Sequence, residues 1–163
     1  MSRRSWAAAF PGLTGSQRSI LSEPITPDEE SEQARVIEWA KHIPYKSEKL
    51  ADYLHHSPNG GQRPTKTDNN GNVYCPEGAK LKRMGTRKGF LDLILPIARG
   101  GHIGLLIEMK AKRGKTSPEQ KKEIPRMQGE GYQVHVCYSA NEAIKAIEAY
   151  MQLPPTQIIQ PDS

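Results

Sequence analysis

The sequence predicts an α/β fold in which a mixed β-sheet is flanked by helices. Three observations carry this. Two short apolar runs, FLDLILP and GLLIEMK, stand on either side of a Gly-Gly turn, and an alternating run, YQVHVCY, follows a helix-like segment. Amphipathic stretches with capping residues stand at both ends of this region. A mixed sheet with helices on its faces satisfies the resulting order of helix, strand, strand, strand, helix, strand, helix.

Residues 1–25 mix Ser, Arg, Gly and Pro without a sustained period and are expected to be a flexible tail, as is the Pro-rich 153–163. The folded domain is expected over 26–152. TPDEESEQARVIEWAKHI opens it as a helix, with Thr26 as N-cap, Pro27 at the first helical position and Glu29 completing a capping box. Glu32, Val36, Trp39 and Ile43 recur at helical spacing, which aligns Glu32 with the stripe that faces the core. YLHHSPNGGQR suggests a short strand running into a turn, and TKTDNNGNVY a polar loop. KLKRMGTRK then places five cations in nine residues.

FLDLILP and GLLIEMK, joined through Gly100 and Gly101, read as an antiparallel hairpin. TSPEQKKEI begins a helix with Ser117 as cap and Pro118 after it, and Pro125 is expected to bend or end that helix. YQVHVCY is the last strand. SANEAIKAIEAYM is the last helix, capped by Ser139 and carrying the stripe Ala143, Ile144, Ile147, Tyr150 and Met151.

A chain of 163 residues is long enough for one hydrophobic core. Its 23 Lys and Arg against 18 Asp and Glu give a net charge of +5 and a pI of about 9.2, which admits a polyanionic partner. Two cysteines without a CxxC spacing exclude a disulfide framework or a cysteine zinc site and fit a reducing cytoplasm. His55, His56 and Cys75 lack a fourth ligand at a familiar zinc spacing. The apolar stretch near the N-terminus is too short for a secretory signal, and nothing approaches the ~20 apolar residues of a membrane span, so a soluble protein with no membrane partner is expected.

The chemistry concentrates in the hairpin. An isolated charge on a buried strand costs several kcal/mol, on the order of the penalty for any unpaired buried ion, so Asp92 within FLDLIL and Glu108 with Lys110 in LLIEMK call for partners. Alternation puts Asp92 on one face with Phe90 and Ile94, and Leu106, Glu108 and Lys110 on one face. Pairing of those faces brings the three charges together. Two carboxylates repel unless a cation sits between them, and hard oxygen ligands suit Mg²⁺ or Mn²⁺.

An LD, fifteen residues, then ExK, with a glutamate on the preceding helix and Gln120 on the following one, resembles the PD-(D/E)xK nucleases. The ordered set GAKLKRMGTRKGFLDLILP, GLLIEMKAKRGKTSPEQ and GYQVHVCYSANEAIKAIEAYM resembles their VRR-NUC branch over roughly residues 28–151. The proline that often precedes the first acid is Leu91 here. The resemblance implies a restriction-endonuclease-like core in which Asp92 and Glu108 ligate the metal, with the Met109 carbonyl as a further ligand. It also implies that Lys110 positions or activates the nucleophile, that Glu32 supports the metal shell, and that Gln120 holds the lysine or a phosphate. His55, Asn59 and Arg63 would touch DNA.

The clusters of Lys80, Lys82, Arg83, Arg87 and Lys88, and of Lys112, Arg113 and Lys115, flank the expected metal face and fit a phosphate-binding rim. At 6% aromatic residues, base stacking is not expected to dominate binding. The chain looks like the stand-alone form carried by phages and prophages, which implies a homodimer acting on four-way DNA junctions, with no nucleotide cofactor, in the host cytoplasm if phage-encoded. Cleavage is then expected to leave 5′-phosphate and 3′-hydroxyl ends. A monomeric flap or branch nuclease and a non-catalytic DNA-binding module are the alternatives.

Overall fold

The structure, a computed structural model, describes residues 28–58, 64–112 and 114–157. The first helix, α1 (Glu29–Ala40), begins later than the sequence suggests: Asp28 is its N-cap and accepts the Ser31 N–H at 2.7 Å. Asp28 is an equally good cap and lies next to the first helical turn. Thr26 and Pro27 lie outside the described residues. A small hairpin, β1 (Pro44–Tyr45) and β2 (Glu48–Lys49), leads through a 3₁₀ turn at Leu50–Asp52 to β3 (His55–His56), the short strand expected there.

The central sheet has the order β3, β6 (Leu93–Leu95), β7 (Gly104–Met109) and β8 (Tyr132–Cys137). β6 pairs antiparallel with both β3 and β7, and β7 pairs parallel with β8. The parallel step is made by a crossover through helix α3 (Pro118–Gly129), and helix α4 (Ala140–Gln152) follows β8. All six residues of β7 are buried, as a central strand covered on both faces requires. One face, Leu93, Leu95, Leu105, Ile107 and Met109, joins Val36 and Ala40 of α1 with Ala143, Ile147 and Tyr150 of α4 in a single core. The buried Tyr150 hydroxyl donates to the Ile97 carbonyl at 2.6 Å. The opposite face carries Leu106 and Glu108, and α3 packs across β8.

Three expectations need correction. TKTDNNGNVY is a hairpin, β4 (Lys66–Thr67) and β5 (Val73–Tyr74), closed by Asp68, whose carboxylate accepts the N–H groups of Asn70 and Asn72. The basic run is not all loop: its first four residues, 80–83, close helix α2 (Pro76–Arg83), which proline at its first position and the Cys75 cap begin. Pro125 does not end α3. It stands exposed in the helix interior, so the Lys121 carbonyl that loses its partner lies at a solvent-facing position. At the C-terminus, residues 153–156 lie against the β6–β7 turn: the Gly100 N–H donates to the Pro154 carbonyl at 2.8 Å and the Thr156 hydroxyl to the His102 carbonyl at 3.1 Å.

Candidate active site

The register of β6 on β7 pairs Leu93 with Ile107, and carried one step further it sets Asp92 opposite Glu108. The convergence expected from side-chain alternation is therefore present. Asp92 Oδ2 accepts the Met109 N–H at 2.8 Å. Lys110 Nζ bonds Glu108 Oε1, the Met109 carbonyl at 2.9 Å and Glu29 Oε1 at 3.0 Å. Gln120 closes the site from the start of α3: its Nε2 donates to Glu108 Oε1, while its Oε1 accepts the Ser117 N–H at 2.8 Å. One amide thus completes the capping box and fixes the acid. It holds Glu108 and not the lysine.

Glu108 is fully buried and Lys110 8% exposed. Burial pushes the Glu108 carboxyl up to about 7, and the neighbouring Asp92 charge adds to the rise against the opposing hydrogen bond from Lys110. Burial also raises Asp92 above the ordinary carboxylate range, despite the Met109 N–H and Lys110. Burial works against the Lys110 ammonium, yet its hydrogen bonds to Glu108 and Glu29 and their charges outweigh it, so its pKa lies above the usual value. Three carboxyls thus face one ammonium, and burial, which that single charge does not offset, makes two of them resist ionisation.

The residues suit a divalent cation of the magnesium type. Glu108 Oε2 is buried without a hydrogen-bond partner, the condition of an oxygen placed to receive a cation. Among the described residues no three His, Cys, Asp or Glu side chains are grouped to hold a metal. That leaves Asp92, Glu108 and a backbone carbonyl, and Mg²⁺ takes one or two carboxylates and keeps several waters. The Met109 carbonyl, expected as a ligand, is shared with Lys110 Nζ.

Glu32 is the main departure from expectation. It is buried on the core stripe, but its carboxylate is spent on Arg35 at 2.8 Å and on the Ala140 N–H at the start of α4. The helix acid at the site is Glu29, one turn earlier, to which sequence spacing assigns only a place in the cap. Gly89 carries no signal in the sequence either. It has φ +84°, and a Cβ there would stand 2.4 Å from Glu119 Cβ, so glycine lets the chain before β6 lie against the first turn of α3.

The site opens into a cleft of about 450 Å³ whose rim includes Lys88, Phe90 and Lys115. Lys88 also borders a neighbouring cleft of about 750 Å³, with Lys82 and Arg87 on its wall. Two of these cations already have partners: Arg87 meets Glu123 at 2.5 Å and Lys88 meets Glu119 at 3.3 Å. Lys80, Arg83 and Lys112 are exposed. His55 is exposed on β3; His56 is the histidine nearer the site, with Nδ1 3.2 Å from the Asp92 carbonyl oxygen and 2.7 Å from Gln33 Nε2. Asn59, Arg63 and Arg113 lie outside the described residues.

An antiparallel hairpin bearing Asp92 and the Glu108-Met109-Lys110 triplet, followed by a helix and a parallel strand, defines a core of the PD-(D/E)xK nuclease class. The family model for the VRR-NUC domain matches residues 27–141, and the chain belongs to that family. A solved structure titled "VRR_NUC domain protein" is 34% identical and superposes with a TM-score of 0.64, covering 78% of this chain and 91% of that one. No curated protein matches. The family indicates a nuclease-type function with DNA as substrate. No helix among the described residues is long and apolar enough to cross a membrane.

Proposed function

We propose that the protein is a Mg²⁺- or Mn²⁺-dependent endodeoxyribonuclease that resolves four-way DNA junctions as a homodimer. The observation that carries this reading is the pairing of half-buried Asp92 with fully buried Glu108, one oxygen of which is unpartnered, at the base of a cleft rimmed by cations. Asp92, Glu108 and the Met109 carbonyl would hold the ion, which when bound supplies Lewis-acid polarisation of the scissile phosphoryl group.

The protein's own groups account for the rest. Lys110 stays an ammonium, so it acts as a hydrogen-bond donor that orients the attacking water and offsets charge developing on phosphate, and not as a neutral amine base. Glu29 holds Lys110 from α1, and Gln120 holds Glu108 from α3, so the two groups are fixed before substrate arrives. Glu32 works at one remove by pinning α1 to the start of α4. Lys88 and Lys115 stand where flanking phosphates would pass. The two-fold symmetry of a junction supports the dimer, because two linked sites make paired nicks and a single chain supplies one site.

The test is cleavage of a labelled panel (four-way junction, flap, splayed arm and linear duplex) with Mg²⁺ or Mn²⁺, beside Asp92→Asn. Paired symmetric nicks on the junction, lost in the variant, are expected. Preferential cutting of flaps would replace resolution with branch cleavage, and tight binding with no metal-dependent cutting would overturn the enzyme reading.

A further inference from the structure

From residue 64 to residue 88 no side chain is buried. This stretch contains the β4–β5 hairpin and helix α2, and neither packs extensively on another element. A lone two-stranded hairpin is marginal in water, and an isolated helix shorter than about 12 residues is too, whereas α2 has 8. The segment carries six Lys and Arg against two Asp and Glu, a net of +4 within a chain whose total is +5. Nearly all the excess charge of the protein is thus gathered on the part that has no core of its own.

We propose that residues 64–88 form an arm that the DNA backbone orders. On this inference, which rests on the nuclease reading above, the arm grips the stretch of DNA flanking the scissile phosphate. The clefts show the route. The active-site cleft shares Lys88 with the 750 Å³ cleft beside α2, and that cleft shares Gly85, Thr86 and Arg87 with a third, smaller one reaching Phe90. A backbone leaving the Asp92–Glu108 site along this path meets Lys88, Arg87 and Lys82 in turn, with Lys80 and Arg83 exposed on α2 beyond them.

The hinge is arranged to yield to phosphate. The Lys88–Glu119 pair has side chains 81% and 42% exposed, and a pair so wet contributes little. Glu119 therefore holds Lys88 loosely at the edge of the cleft until phosphate takes its place, while Arg87, 2.5 Å from a Glu123 side chain only 14% exposed, keeps the base of the arm anchored to α3. A second copy of the chain is a poor occupant of this surface, since two arms of +4 would repel, whereas a polyanion gains by releasing counterions.

The test uses the full chain and a labelled four-way junction. Hydrogen exchange in EDTA is expected to slow at least tenfold within 66–83 when the junction is added. Lys80→Gln with Lys82→Gln and Arg83→Gln, changes that keep good helix formers, is expected to flatten log Kd against log salt by about 0.9 for each phosphate that the variant no longer neutralises. Exchange unchanged by DNA, or a parental salt slope in the triple variant, would overturn the arm while cleavage by the parent kept the nuclease reading intact. Protection that rises with protein concentration alone would assign the surface to a second copy and overturn it as well. Should the triple variant fail to fold, the exchange measurement on the parent decides alone. A parent chain that neither binds nor cuts DNA would remove the nuclease reading itself.

Discussion

At the Met109 end of β7, Glu108 is fully buried and Lys110 nearly so, while between residues 64 and 88 six cations stand on a segment with no buried side chain. Both regions are charged, and they handle charge in opposite ways. The first takes ionisable groups out of water, where each must be offset, and so holds an electrostatic deficit that a cation would relieve. The second leaves its charges solvated, where they cost nothing and attract from a distance. Chemistry calls for the first arrangement and capture of a polyanion for the second.

The comparison is broken most severely by removing the deficit. Asp92→Asn or Glu108→Gln is expected to lower cleavage by a factor on the order of a thousand or more and to raise the midpoint of thermal unfolding in EDTA, because the charge removed was unfavourable there. Activity assays and melting curves on the same preparations check both signs. A variant that lost activity and stability together would mean that the pair is structural. Lys110→Met is expected to cost roughly a hundredfold or more in kcat, as removal of a preorganised donor does, with binding of DNA at the arm little changed.

Next in size is the contrast between two glutamates on one helix. Glu32→Gln is expected to cost about 1–3 kcal/mol of stability, since the buried Ala140 N–H loses a charged acceptor, with kcat changed by less than about threefold. Glu29→Gln should do the reverse, lowering kcat roughly tenfold through Lys110 while leaving the unfolding free energy within about 0.5 kcal/mol. Denaturant titration beside steady-state kinetics separates the two.

The smallest effect expected is on pH. With its pKa raised from 4.5 to about 7, Glu108 binds its proton more tightly in the folded chain than in the unfolded one. Its contribution to stability is fully present below pH 4.5 and is lost as pH rises through about 7. Urea unfolding of the metal-free protein between about pH 5 and 8 should show this decline, and added Mg²⁺ should cancel it at the upper end.

How much of this was legible in the sequence differs between the two regions for physical reasons. Asp92, Glu108 and Lys110 could be read because strand alternation fixes which side chains share a face, and because charge in so apolar a run is costly. Gln120's cap could be read because cap geometry is local, but its site role rested on the family resemblance, which implied the lysine or a phosphate as partner where the structure gives Glu108. Glu29 could not, because helical periodicity identifies which residues point inward but not how far along the axis the strand ends lie. Glu32 satisfied the stripe, and its partner proved to be the backbone of α4, more than a hundred residues away along the chain. The hairpin at 66–74 and helix α2 escaped because neither buries an apolar stripe, so hydrophobic periodicity carries no signal there.

Binding of Mn²⁺, followed by loss of the free-ion resonance at about pH 6 and pH 8 in the parent chain and in Asp92→Asn, tests the central claim most directly. One ion per chain is expected in the parent, bound at least roughly tenfold more tightly at the higher pH as Glu108 gives up its proton, with the tight site lost in the variant. Binding that is absent, or that is the same in the variant as in the parent, would contradict the assignment of the Asp92–Glu108 pair as a metal site.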